Sequence, residues 1–102
     1  MQLAGLATQQ QMQAMDPLQQ MQREMALKQL EKMQDVEHYG EIIRQRGDAA
    51  YRAFEYLWNK WGPETAVQTA VAQGEPKIED WIKRMGGDPK RFESIIKGPP
   101  PR

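Results

Sequence analysis

Between Leu18 and Arg46 the apolar positions recur at helical spacing. Drawn at 100° per residue, Leu18, Met21, Met25, Ala26, Met33, Val36, Tyr39 and Ile43 fall on one side of a helix. Arg23, Glu24, Lys28, Glu31, Gln34, Asp35, His38 and Glu41 fall on the other. The start is well marked. Asp16 suits an N-cap, Pro17 the first helical position, and Gln19 the third position of a capping box. The helix this predicts is roughly 43 Å long at 1.5 Å per residue. Gly40 is its only glycine and the position where a bend is expected. Gln29 and Lys32 interrupt the stripe, so a long regular two-stranded coiled coil is not expected.

Beyond Arg46 the pattern breaks into short runs, each closed by glycine or proline. Gly47 is expected to close the first helix in a left-handed cap, with Asp48 opening the next. Ala50, Ala53, Phe54, Leu57, Trp58 and Trp61 then follow at helical spacing, and Gly62-Pro63 separates them from Ala66, Val67, Ala70 and Val71. Gly74 and Pro76 mark the next break, before Ile78, Trp81, Ile82 and Met85. Gly86-Gly87-Asp88-Pro89 marks another, before Phe92, Ile95 and Ile96. No run alternates with the period of two that a strand requires. The fold class expected is therefore all-α: a long N-terminal amphipathic helix followed by a compact module of about four short helices. All three tryptophans, Trp58, Trp61 and Trp81, are expected to be largely buried in it.

Composition divides the chain at the same place. Six of the seven methionines lie in the first 33 residues and ten of the thirteen glutamines in the first 34. Both phenylalanines and all three tryptophans come after Gly47. This predicts a Met/Gln-rich helical arm over 1–47, a small helical module over 48–98 and a proline-rich tail over 99–102. Residues 1–15 are weakly patterned and could become helical against a template. With fourteen basic and fourteen acidic side chains, formal net charge is zero, which disfavours phosphate wrapping as the main activity. The absence of cysteine removes disulfides and thiolate metal sites. No apolar run approaches the ~20 residues of a membrane span, and the start lacks a signal-peptide pattern, so synthesis in the cytoplasm is expected.

Candidate chemistry is sparse. His38 is the only histidine and falls on the polar face beside Glu37 and Glu41, where a solvated role is expected rather than a metal site. Ser94 is the only serine and has no histidine within its own helix. Glu79-Asp80 complement the dipole of the helix they open. Gly86-Gly87-Asp88-Pro89 lacks the lysine and hydroxyl ending of a phosphate loop. The expectation is a non-enzyme without cofactor or metal. Lys83, Arg84, Lys90 and Arg91 are candidates for phosphate contacts, although cations at helix C-termini also satisfy the dipole. Methionine is unbranched and polarizable and adapts to irregular surfaces. A module of about fifty residues can cover only part of a ~43 Å helix. Met21, Met25, Met33, Val36 and Ile43 are therefore the expected partner-binding residues, facing another protein or further copies of the chain.

The run Gln9-Gln10-Gln11-Met12-Gln13-Ala14-Met15 resembles segments of small helical bacteriophage virion and ejection proteins. The resemblance is one of composition and covers about a third of the chain. It implies a structural or adaptor subunit that orders on a larger assembly, ending in a virus particle. A small nucleic-acid-associated regulatory protein, using the basic C-terminal end, is the alternative. No functional residue is carried over.

Overall fold

The computed structural model describes residues 16–98, and within them the chain is all-helical. The Gln/Met-rich residues 1–15 and the proline-rich residues 99–102 lie outside the described part. The first helix, α1, runs Pro17–Arg44; α2 is Asp48–Trp61, α3 Pro63–Ala72, α4 Ile78–Arg84 and α5 Glu93–Ile96, with a 3₁₀ turn over Pro89–Phe92 leading into α5. The start of α1 is as the sequence predicts: the Asp16 Oδ1 accepts the Leu18 N–H at 3.2 Å, and Pro17 occupies the first turn.

The chain falls into two compact units that divide within α1, one ending at Glu31 and the other beginning at Lys32. The second unit thus takes in residues 32–47, which the sequence pattern assigns to the arm. Its core joins Ile43 to Ala50, Ala53, Phe54 and Leu57 of α2, Ala66, Val67 and Ala70 of α3, Ile78, Trp81 and Ile82 of α4, and Phe92. Helices α2 and α3, linked by Gly62 alone, make the most extensive contact, and α4 and α5 pack on α3. Gly62 sits at φ 102°, which glycine reaches without a Cβ clash, so the chain reverses in one residue.

Helix α1 runs uninterrupted through Gly40, where a Cβ would lie 3.2 Å from both Thr69 Cγ2 and Gln73 Nε2. The glycine lets α1 approach α3 closely. The expectation that Gly47 closes α1 in a left-handed cap is corrected by the backbone. The left-handed residue after α1 is Arg46, at φ 55°, while Gly47 is extended at φ 171°. A non-glycine residue holds that conformation only where contacts enforce it, and Arg46 has them. Its guanidinium donates to Glu75 Oε2 at 2.9 Å and to the Gly74 carbonyl at 2.8 Å. This fastens the α1–α2 turn to the α3–α4 turn. Trp81 is buried, and Trp58 and Trp61 pack against the core with most of their surface covered, as the sequence predicts.

Candidate functional site

In the first unit, helix α1 carries an unusual load of exposed apolar surface. Leu18, Met21, Met25, Leu27 and Leu30 are between 52% and 64% exposed. At 100° per residue these side chains and Ala26 spread over about 240°, from Met21 to Leu27, with Gln19, Gln22, Arg23 and Gln29 interleaved among them. The remaining sector holds Gln20, Glu24, Lys28 and Glu31. An amphipathic helix that lies on one surface needs an apolar stripe little wider than ~100°. Large apolar side chains on two sides of one helix, with polar residues between them, fit a helix seated in a groove or between two other helices.

The residues singled out from sequence divide between the units. Met21 and Met25 lie in the exposed arc. Met33, in the second unit, is the most exposed of the large apolar side chains among the described residues, at 67%. Val36 is half-buried. Ile43 is fully buried, so its assignment to a partner surface is corrected: it is part of the module's own core. Leu27 and Leu30 were the residues the sequence reading missed. They fall outside the methionine stripe, and a single-stripe reading discards apolar residues on a second side. The signal was present in their size and in the absence of any aromatic among residues 18–33 to cover them.

What turns the C-terminal part of α1 inward is a polar and aromatic clasp. Asp35 Oδ2 accepts the Trp61 indole N–H at 2.9 Å and lies 2.9 Å from Lys60 Nζ. Tyr39 stacks on Tyr56 with ring centroids 4.3 Å apart, and Lys60 Nζ donates to the Tyr56 hydroxyl at 3.0 Å. The hydrogen bond from Lys60, and then that from Trp61, hold the Asp35 carboxyl below its ordinary range. Asp35 thus does packing work from the face that the pattern marks as polar. His38, with Gln34, Glu37 and Glu41, lines a shallow, open depression. Among the described residues no three metal-ligating side chains converge.

The second candidate is a surface groove of about 1090 Å³ in the C-terminal unit. It is lined by Tyr51 and Trp81 and by Arg46, Arg52, Lys77, Lys83 and Arg84 against Asp48, Glu75 and Asp80. Arg84 lies over the Tyr51 ring, 4.0 Å from its centroid. The four proposed phosphate-contacting residues are not gathered in it. Lys83 and Arg84 line the groove, Lys90 lines a smaller depression that also holds Glu79, Asp88 and Glu93, and Arg91 is exposed and lines neither. Three carboxylates among five cations make the groove weakly basic. No described helix is long and apolar enough to cross a membrane. Compared with protein-family models, curated proteins and solved structures, the chain matches none.

Proposed function

We propose that this chain is a structural or adaptor subunit that docks into a larger protein assembly through the N-terminal part of α1. The observation that carries the reading is the arc of Leu18, Met21, Met25, Leu27 and Leu30, each more than half exposed. Complete burial of such a side chain is worth ~1.5–3 kcal/mol, so covering what five of them leave exposed yields roughly 4–9 kcal/mol. The cost of association is of the same order, about 4–15 kcal/mol. A single docked helix is then weakly held, and stable incorporation calls for an enclosing partner or for many copies acting together. Both belong to a subunit of an assembly. The Gln/Met/Ala-rich start supports a bacteriophage particle as that assembly, with the 32–98 module as spacer or plug.

Co-purification from the native source tests the reading. The wild-type chain should enter a stoichiometric complex that persists in high salt, because the contact is apolar. Met25→Glu with Leu27→Glu should abolish entry while the module stays folded, since glutamate keeps good helix propensity. Entry unaffected by that pair would overturn the proposal.

The groove favours one other reading, a small nucleic-acid-associated protein, because Lys83 and Arg84 line it together with Arg46, Arg52 and Lys77. Phosphate contacts lose affinity steeply with salt. Binding that collapses between low and physiological salt, and is lost on charge reversal at Lys83 and Arg84, would favour it over docking through α1.

A further inference from the structure

We infer that Met21, Met25 and Met33 are three separate oxidation-sensitive positions, each of which a hydroperoxide converts from apolar to polar and a thiol-dependent reductase restores. The three side chains are 58%, 64% and 67% exposed, so a small oxidant reaches the thioether sulfurs from solvent. The chain has no cysteine, so no thiol of its own competes for the oxidant. Met85 supplies an internal contrast. It packs half-buried against the core, and its Sδ accepts a hydrogen bond from the Tyr51 hydroxyl at 3.3 Å.

The chemistry is a two-electron oxygen transfer. The thioether sulfur attacks one peroxide oxygen, the O–O bond breaks, an S–O bond forms, and the other oxygen leaves as water from hydrogen peroxide or as an alcohol from an organic hydroperoxide. Sulfur is oxidised and the peroxide reduced. The reverse step takes two thiol equivalents, which leave as a disulfide while the sulfoxide oxygen leaves as water. Sulfoxide formation replaces a flexible apolar side chain by a polar one. Leucine at these positions would bury similar area but could not be switched. Leu18, Leu27 and Leu30 of the same helix stay apolar throughout, so oxidation weakens docking in steps as successive methionines react. The switch rests on the docking reading above; the accessibility of the sulfurs does not.

The test treats the full chain with hydrogen peroxide and follows each methionine by peptide mass mapping. Met21, Met25 and Met33 should form sulfoxide at least about fivefold faster than Met85. Retention on a phenyl matrix should fall as they react and return after treatment with methionine sulfoxide reductases and dithiothreitol. Near-ultraviolet circular dichroism should stay constant. Because Met1, Met12 and Met15 lie outside the described residues and any sulfoxide there would also change retention, the decisive comparison is the variant M21L/M25L/M33L, which should lose at least about half of the peroxide-induced retention shift. Rates at the three positions no faster than at Met85, or an equal shift in the leucine variant, would overturn the inference. Failure of the docking reading shows separately, as an untreated chain that does not enter its assembly; that result removes the switch even where the rates are as expected.

Discussion

Arg46 offers the sharpest test of how the C-terminal unit is held together. It carries two opposing contributions that two substitutions can separate. Its guanidinium meets a Glu75 side chain only 4% exposed, whose other oxygen accepts the Lys77 N–H at 3.1 Å. Arg46→Ala removes the guanidinium and leaves that carboxylate short of partners. A charged hydrogen bond lost at a buried group costs ~1.5–3 kcal/mol. The Arg46 side chain is 47% exposed, and solvent screening places the loss in the lower part of that range, at about 2 kcal/mol. Alanine also keeps the left-handed backbone at φ 55°, which costs an L-residue ~1–2 kcal/mol. Arg46→Gly loses the same contacts but relieves the backbone, at some cost from the greater freedom of the unfolded chain.

The alanine variant should therefore be about 2 kcal/mol less stable than wild type, and the glycine variant about 1 kcal/mol more stable than the alanine variant. Urea unfolding of the full chain, followed by tryptophan fluorescence, reads both, since Trp58, Trp61 and Trp81 all lie in this unit. The urea slope should be unchanged. For a unit of this size, 1 kcal/mol corresponds to roughly 4–8 °C in Tm, so thermal melts resolve the difference as well. An alanine variant as stable as wild type would refute the role of the Glu75 contact. A glycine variant less stable than the alanine variant would refute the backbone argument.

Gly87→Ala should destabilise the unit by about 1–3 kcal/mol in the same assay, because the added Cβ would lie 2.8 Å from the Trp58 ring and 3.0 Å from Ile82 Cγ2. Gly47→Ala, where the Cβ meets nothing within 4 Å and the backbone is extended, is the control and should be near neutral. Asp35 is held below its ordinary value of 3.8 by Lys60 and Trp61, so the folded state binds its proton less readily than the unfolded chain. Its contribution is present above that value and is lost as pH falls through the lowered folded value. Asp35→Asn should therefore flatten the acid limb of a stability–pH profile, and an unchanged slope would count against the clasp. Phe54→Ala, at a fully buried site, should cost ~3–5 kcal/mol and unfold the unit or nearly so.

Much of the fold could be read from local chemistry. Asp16-Pro17, Gly62-Pro63 and Asp88-Pro89 are short-range signals, and each marks an element start in the structure. What could not be read were features created by elements far apart in sequence. Ile43 belongs to the same helical stripe as Met21 and Met25, and nothing local distinguishes it. Only the closure of α2 and α3 around the end of α1 makes it core. Gly40 looks like a weak point until Thr69 and Gln73 are brought against it. Asp35 looks solvated until Trp61 reaches it, and Arg46 takes the left-handed position because Glu75, 29 residues away, holds it there. Of the candidate site, the methionines were legible as apolar positions at helical spacing. Leu27 and Leu30 were not, because a one-sided template discards what falls on the opposite side, and here apolar side chains on a second side are the informative feature.

The central claim is that the assembly holds this chain through both sides of the N-terminal part of α1. Competitive incorporation measures it most directly. Wild-type chain and a single-site variant are supplied together, and their ratio in the purified native assembly is read by mass spectrometry. Met25→Glu, on one side of the arc, and Leu27→Glu, on the other, should each be excluded at least about tenfold, the equivalent of 1.4 kcal/mol or more. Lys83→Glu, in the groove, should incorporate at parity. Parity for either α1 variant, or exclusion of Lys83→Glu alone, would contradict the account.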